Sequence, residues 1–142
     1  MYIVSACLAG VNCKYSGGNN YNEKIEKLVK EGKVVLVCPE QMGGLVTPRD
    51  PSERINDKVI TKNGVDVTKE YTKGAEETLK IAKMCNAECA ILKSKSPSCG
   101  CGKIYDGTFT GTLVDGNGVT TDLLLANNIK VISSDEIDNL DL

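Results

Sequence analysis

The chain contains no histidine and no tryptophan, and only one phenylalanine and five tyrosines among its 142 residues. Without imidazole there is no ordinary Cys–His dyad and no mixed Cys/His zinc site. Acid–base work at neutral pH then falls to a carboxylate, a lysine or a bound water. So few aromatic rings argue against a base-stacking surface for single-stranded nucleic acid. A formal net charge of −2 leaves no broad basic footprint for a phosphate backbone, so free nucleic acid is not an expected partner. No apolar run approaches the roughly 20 residues that span a bilayer. The stretch Met1–Cys7 has no basic leader and too short an apolar run for a secretory signal. The expectation is a cytoplasmic protein without a membrane partner.

What the chain has in excess is cysteine. Seven thiols, an odd number, do not make a disulfide framework in a reducing compartment, so metal ligation or thiol chemistry is the better reading. With imidazole missing, thiolates alone remain as soft ligands, and these suit zinc or iron–sulfur clusters. The composition, 41% hydrophobic and 25% charged, is that of a globular protein. Repeats, low-complexity tracts and linkers are lacking, and the length suits one domain over 1–142 with a core of its own.

Hydrophobic patterning predicts strands over 2–6, 34–37, 89–92 and 129–132. The second, Val34–Val37, is a continuous apolar run of the kind buried on both faces of a parallel sheet. Helices alternate with the strands. One starts at Asn22 as N-cap, buries Ile25, Leu28 and Val29, and stops at Gly32. A long one runs from Thr68, read as its N-cap, to Met84, with Thr72, Ala75, Leu79, Ala82 and Met84 as the inner stripe. A third starts at Thr120 or Thr121 and ends at Asn127-Asn128, and a short one covers 134–140. Pro39 to Asp66 reads as a long loop carrying a small hairpin that turns at Asn63-Gly64, an insertion over one end of the sheet. Residues 103–115 read as a short hairpin or extended lid. The fold class is α/β: three layers, a mainly parallel Rossmann-like sheet flanked by helices, with a small β-hairpin insertion.

In such sheets ligands bind beyond the carboxyl ends of the strands, where strand order reverses. Cys7, Cys38 and Cys99 each follow an apolar run of this kind, so three residues distant in sequence are expected to meet along one sheet edge. Cys85 and Cys89 read as small buried hydrophobes, and Cys13 and Cys101 fit either role. Three thiolates around a [4Fe–4S] cluster leave one iron without a protein ligand, a Lewis acid for a soft guest such as a thiocarbonyl sulfur. Glu40, two residues past Cys38, is the best-placed carboxylate for moving protons, with a solvated helix-start charge as the bland alternative. Ser96 and Ser98 either donate to a substrate or sulfur or satisfy their own turn around Pro97. Arg49, between Pro48 and Pro51, either binds an anionic or planar polar group or pairs with Glu53. Gly43 and Gly44 supply permissive backbone for a turn or for close approach to a ligand.

Three motifs carry a family resemblance over essentially the whole chain. They are Ser5-Ala6-Cys7-Leu8-Ala9-Gly10 with Cys13-Lys14-Tyr15-Ser16-Gly17; Cys38-Pro39-Glu40 with Gly43-Gly44-Leu45 and Pro48-Arg49; and Leu92-Lys93-Ser94 with Ser96-Pro97-Ser98-Cys99-Gly100. In this order the set resembles the 2-thiouracil desulfidase family. The resemblance implies a non-redox desulfidase that converts C=S to C=O in 2-thiouracil or a related thiolated nucleobase or thioamide. It implies a [4Fe–4S] cluster on Cys7, Cys38 and Cys99, Glu40 as acid–base and Ser96 or Ser98 assisting; Arg49, Gly43 and Gly44 are the residues expected near the substrate. Family members often carry Arg and Asp where Lys14 and Ser16 stand here, a departure that bears on substrate preference. The same residues also suit an iron–sulfur thiolation factor running the chemistry in reverse, or a non-enzymatic cysteine-based zinc or redox module. A homodimer through a helix face is left open.

Overall fold

The computed structural model describes residues 1–141. In chain order its elements are β1 (Tyr2–Ser5), α1 (Glu23–Lys30), β2 (Val34–Val37), α2 (Pro39–Met42), β3 (Ser52–Ile55), β4 (Lys58–Thr61), α3 (Thr68–Met84), β5 (Cys89–Leu92), β6 (Lys103–Tyr105), β7 (Leu113–Asp115), α4 (Val119–Ala126) and β8 (Lys130–Ser133). Short 3-10 turns lie at Ala6–Ala9 and Ser134–Asn139. No described helix is long and apolar enough to cross a membrane.

The central sheet has the order β2-β1-β5-β8 with every pairing parallel, as the continuous apolar runs predict. Side chains alternate across it. Ile3, Val37, Ala90 and Leu92 pack on one face with Ala82 of α3 and Leu124 of α4. Val4 and Ile91 pack on the other with Ile25 and Leu28 of α1 and Ile137 of the last turn. Period-two alternation against helices on both sides gives the three layers. The chain leaves β1 toward β2 and later returns to β1's other side as β5, so strand order reverses between β1 and β5.

Outside the sheet the structure departs from expectation in instructive ways. The hairpin pairs β3 with β4 across Asn56-Asp57, where Asn56 takes φ 54°, and not across Asn63-Gly64. Asn63-Gly64 makes a second turn that returns Val65 to Thr61 and Asp66 to Ile60. Helix α2 lies inside the expected loop. Thr68 is not the N-cap of α3: Val67 holds that position, and the Thr68 hydroxyl instead accepts from the Val59 amide at 3.0 Å, pinning β4. Gly118, and neither threonine, precedes α4. The inner face of α3 carries Tyr71, Gly74, Ala75, Thr78 and Ala82; Thr72 and Met84 face solvent. The 103–115 segment is the hairpin β6–β7, with the loop 106–112 between its strands.

Helix α2 sits against α3 with almost no gap. A Cβ at Gly43 would lie 1.9 Å from the Glu70 carbonyl oxygen, and one at Gly74 would lie 1.8 Å from that of Pro39. These reciprocal contacts set the height of the Cys38–Glu40 turn over the sheet, so the expected ligand contact of Gly43 and Gly44 gives way to backbone packing at Gly43 and a φ of 103° at Gly44. In an ordinary helix interior Gly→Ala gains about 0.5–1 kcal/mol. Here Gly74→Ala has no space, and we expect it to destabilise the protein by about 1–3 kcal/mol in urea unfolding; a gain in stability would contradict this packing.

Candidate active site

The three strand ends deliver their cysteines to one place. Cys7 lies in the 3-10 turn after β1, Cys38 directly follows β2, and Cys99 lies on the loop after β5. All three line a single cavity of about 560 Å³ at the carboxyl edge of the sheet, where strand order reverses. All seven cysteines carry free thiols. Cys85, Cys89 and Cys101 lie outside the cavity lining, whereas Cys13 lines it and is only 2% exposed.

Each sulfur has its own electrostatic setting. Cys38 is held down to about 6, first by the Cys13 thiol beside it and then by the Gln41 backbone N–H and the Arg49 charge, against its burial. The Gln41 N–H points toward the sulfur without closing a capping hydrogen bond. Cys7 is held down to about 7 by the same Cys13 thiol, helped by Asn20 and Lys93. One S–H serves one acceptor at a time, so Cys13 stabilises either thiolate but not both together, and its own proton is held tightly. Cys99 is the opposite case: full burial pushes it up to about 12, though Ser5 and Ser98 offer hydroxyl contacts.

The loop around Cys99 is built by its serines and by α4. Ser96 Oγ accepts from the backbone N–H groups of Ser98 and Cys99, both at 3.0 Å, an ST turn that aims Cys99. With two bonds accepted, the Ser96 O–H remains to donate, and Ser96 lines the cavity. Ser98 differs: it is fully buried, pairs with Thr120 Oγ1 at 2.9 Å and is not in the cavity lining. The Cys99 S–H faces the Ser98 hydroxyl oxygen at 3.9 Å, and the Thr121 hydroxyl donates to the Cys99 carbonyl. Gly118 allows this approach, because a Cβ there would sit 2.3 Å from the Ser98 carbonyl.

Glu40 stands in the first turn of α2 and lines the cavity. Its Oε1 accepts from Tyr71 Oη at 2.7 Å and from Arg49 Nε at 3.1 Å. Oε2 has no hydrogen-bond partner among the described residues. Burial, with the Glu40 carboxylate next to it, raises Tyr71, which therefore acts as a fixed donor. Arg49 is not the free anion site that its exposed-looking loop suggested, nor does it pair with Glu53. Its side chain is 7% exposed and bonds Glu40, the Val46 carbonyl, the Thr47 hydroxyl and, at 2.9 Å, the Cys13 carbonyl. Glu53 lines the cavity from β3 and accepts from the Gly107 and Phe109 backbone N–H groups instead. Lys14, Lys62, Lys93 and Lys95 add positive charge around this lining, while both of its carboxylates, Glu40 and Glu53, are engaged.

Sequence reasoning missed several residues here. Tyr71 lies one position from the chosen stripe of α3, and its link to Glu40 spans 31 residues. Tyr105 and Phe109 gave no motif signal, and Ser5 and Lys93 stood within the family motifs with no role assigned to them.

Among the described residues no three ligand-type side chains stand close enough to hold a single metal ion, so the site does not match the closed tetrahedron of structural zinc. A four-iron cluster has its irons at separate corners and calls for thiolates set more widely around one cavity. Cys7, Cys38 and Cys99 line one such cavity, with four lysines around it to offset negative charge.

A parallel α/β sheet that brings three strand-end thiols and a carboxylate to one cavity has the layout of an enzyme site. The chain belongs to the 2-thiouracil desulfurase family, whose model matches residues 2–136. It is 46% identical to the uncharacterized protein YbbK of Bacillus subtilis (strain 168), covering 99% of each chain. Its fold is similar to the solved structure of the [4Fe-4S]-dependent thiouracil desulfidase TudS, with TM-score 0.93 and 42% identity over 98% of this chain and 93% of that one.

The unequal sulfur settings give a direct check on the metal-free protein. Iodoacetamide should label Cys38 first, at a rate that rises through pH 6 and levels near pH 7, with Cys7 following about one pH unit higher. Cys99, held as a thiol up to about pH 12, should stay unlabelled at neutral pH. Peptide mapping that found Cys99 labelled first would contradict the assigned environments.

Proposed function

We propose that this single domain, 1–142, removes sulfur from 2-thiouracil or a related small thiolated heterocycle, using a [4Fe–4S] cluster held by Cys7, Cys38 and Cys99. The observation that carries this reading is the convergence of those three thiols with Glu40 on one cavity at the switch point of the sheet, in a chain of the desulfurase family. The reaction is a hydrolysis: the C=S bond breaks, a C=O bond forms with oxygen from water, and sulfur leaves as sulfide, with no net electron transfer. The cluster, when bound, supplies an iron without a protein ligand, a soft Lewis acid for the thiocarbonyl sulfur.

The chain's own groups supply the rest. Glu40 Oε2 takes a proton from the attacking water and returns it to the departing sulfur, while Tyr71 and Arg49 hold Oε1 and fix the carboxylate plane. Ser96 donates its free O–H to a heteroatom of the substrate ring. The cavity lysines favour a substrate that carries or develops negative charge. Seven free cysteines also suit the reducing cytoplasm.

Replacing Cys7, Cys38 or Cys99 by Ser, one at a time, should remove bound iron and activity together; a variant keeping both would remove that residue from the ligand set. Glu40→Gln keeps an oxygen for Arg49 and Tyr71, so the iron content should hold while thiouracil turnover, followed by uracil and sulfide release, drops by about 10²-fold or more. Unchanged turnover would take Glu40 out of the chemistry. Sulfide consumed and thiouracil formed under the same conditions would favour a thiolation factor instead.

A further inference from the structure

The sequence is poor in aromatics, yet four of its six aromatic side chains line this cavity: Tyr15, Tyr71, Tyr105 and Phe109. Phe109, the only phenylalanine, is the least explained of them. It belongs to none of the three hydrophobic clusters of the core, nor is it among the large apolar side chains exposed to solvent. Its backbone is in the left-handed region, with φ 58°, a conformation that a bulky side chain rarely takes without an external hold.

That hold is visible. The backbone N–H groups of Gly107 and Phe109 both donate to Glu53 Oε1, at 2.9 and 3.0 Å, and Glu53 is 8% exposed on β3. The same loop is seated hard against β3, since a Cβ at Gly107 would lie 2.2 Å from Ile55 Cγ1. Its base is closed by the Asp106 amide on the Thr112 carbonyl, and the hydroxyls of Thr108, Thr110 and Thr112 bond in series. A buried carboxylate, a snug glycine and a hydroxyl ladder all serve to fix one strained residue. The cysteines reach the cavity from the ends of the sheet, whereas Phe109 reaches it from the hairpins outside the sheet.

We propose that Phe109 is a specificity-determining residue: its ring stacks on the flat face of the heterocycle, and Glu53 is the positioning residue that holds it there. Ring stacking tolerates substituents at the ring edge, so the thiocarbonyl stays free for the cysteine side while the face is gripped. The inference rests on the desulfidase reading. It gives the hairpin insertion a purpose that the strand-end residues do not supply, selection for planar rings.

The test uses the iron-loaded enzyme, with 2-thiouracil as substrate and uracil as binding probe. Phe109→Ala should weaken uracil binding and raise KM about ten- to a hundredfold with little change in kcat. Phe109→Tyr should restore both, and Phe109→Leu, which keeps apolar bulk but loses the flat face, should fall between. Glu53→Gln, with a weaker acceptor for the two amides, should raise KM severalfold. Iron and sulfide content and melting temperature of Phe109→Ala should match the wild type. Uracil binding and KM unchanged in Phe109→Ala, or a Leu variant equal to wild type, would overturn the stacking role; so would a loss explained by lost iron. A wild-type enzyme that neither binds uracil nor turns over thiouracil would overturn the desulfidase reading itself, and this inference with it.

Discussion

One guanidinium ties the site together. Arg49 is nearly buried and bonds the carboxylate of α2, the carbonyl of Cys13 and two groups of its own loop, while its backbone N–H donates to the Tyr15 carbonyl. Three segments, around Cys13, Glu40 and Val46–Arg49, thus share one fixed charge. Removing one partner of a buried pair of this kind costs about 3–5 kcal/mol, because the other charge is left unpaired. Lysine would not substitute, since its single ammonium lacks the fork that reaches carboxylate and carbonyls at once. The consequence is functional: one oxygen of Glu40 is held from two sides, and the carboxylate lines the cavity with the other unshared.

The sulfur environments follow from the same frame. Cys38 and Cys7 share one thiol donor, Cys13, so each ionises easily only while it holds that donor. Cys99 is pushed the other way by its burial, with the negative charges of Cys7 and Glu40 adding to it and two hydroxyls opposing. Holding a cluster on these three sulfurs would require the Cys99 proton to leave. Metal binding of this kind releases protons and is coupled to pH.

How much of this was legible in the residues depends on the range of the contacts. The parallel strands showed themselves because a strand buried on both faces is apolar throughout, and from them followed the meeting of Cys7, Cys38 and Cys99 in one cavity. Features set by tertiary contact did not show. The partner of Arg49 looked like Glu53, four residues away, but the fold brings Glu40 closer. Asn63-Gly64 is the stronger hairpin signal by composition, yet Asn56 makes the hairpin turn because β3 and β4 pair there and pack beside the cavity. Gly43 looked like a ligand contact; its lack of a side chain serves the α2–α3 crossing instead. Phe109 had no motif at all, since its significance lies in a backbone angle and a carboxylate 56 residues away.

The central claim is that the three strand-end thiols hold a four-iron cluster. It is tested most directly by iron, acid-labile sulfide and zinc analysis of the wild-type protein purified under strict exclusion of air. The account predicts iron and sulfide in equal amounts approaching one four-iron cluster per chain. Zinc in place of iron, or no metal after attempted reconstitution, would contradict it.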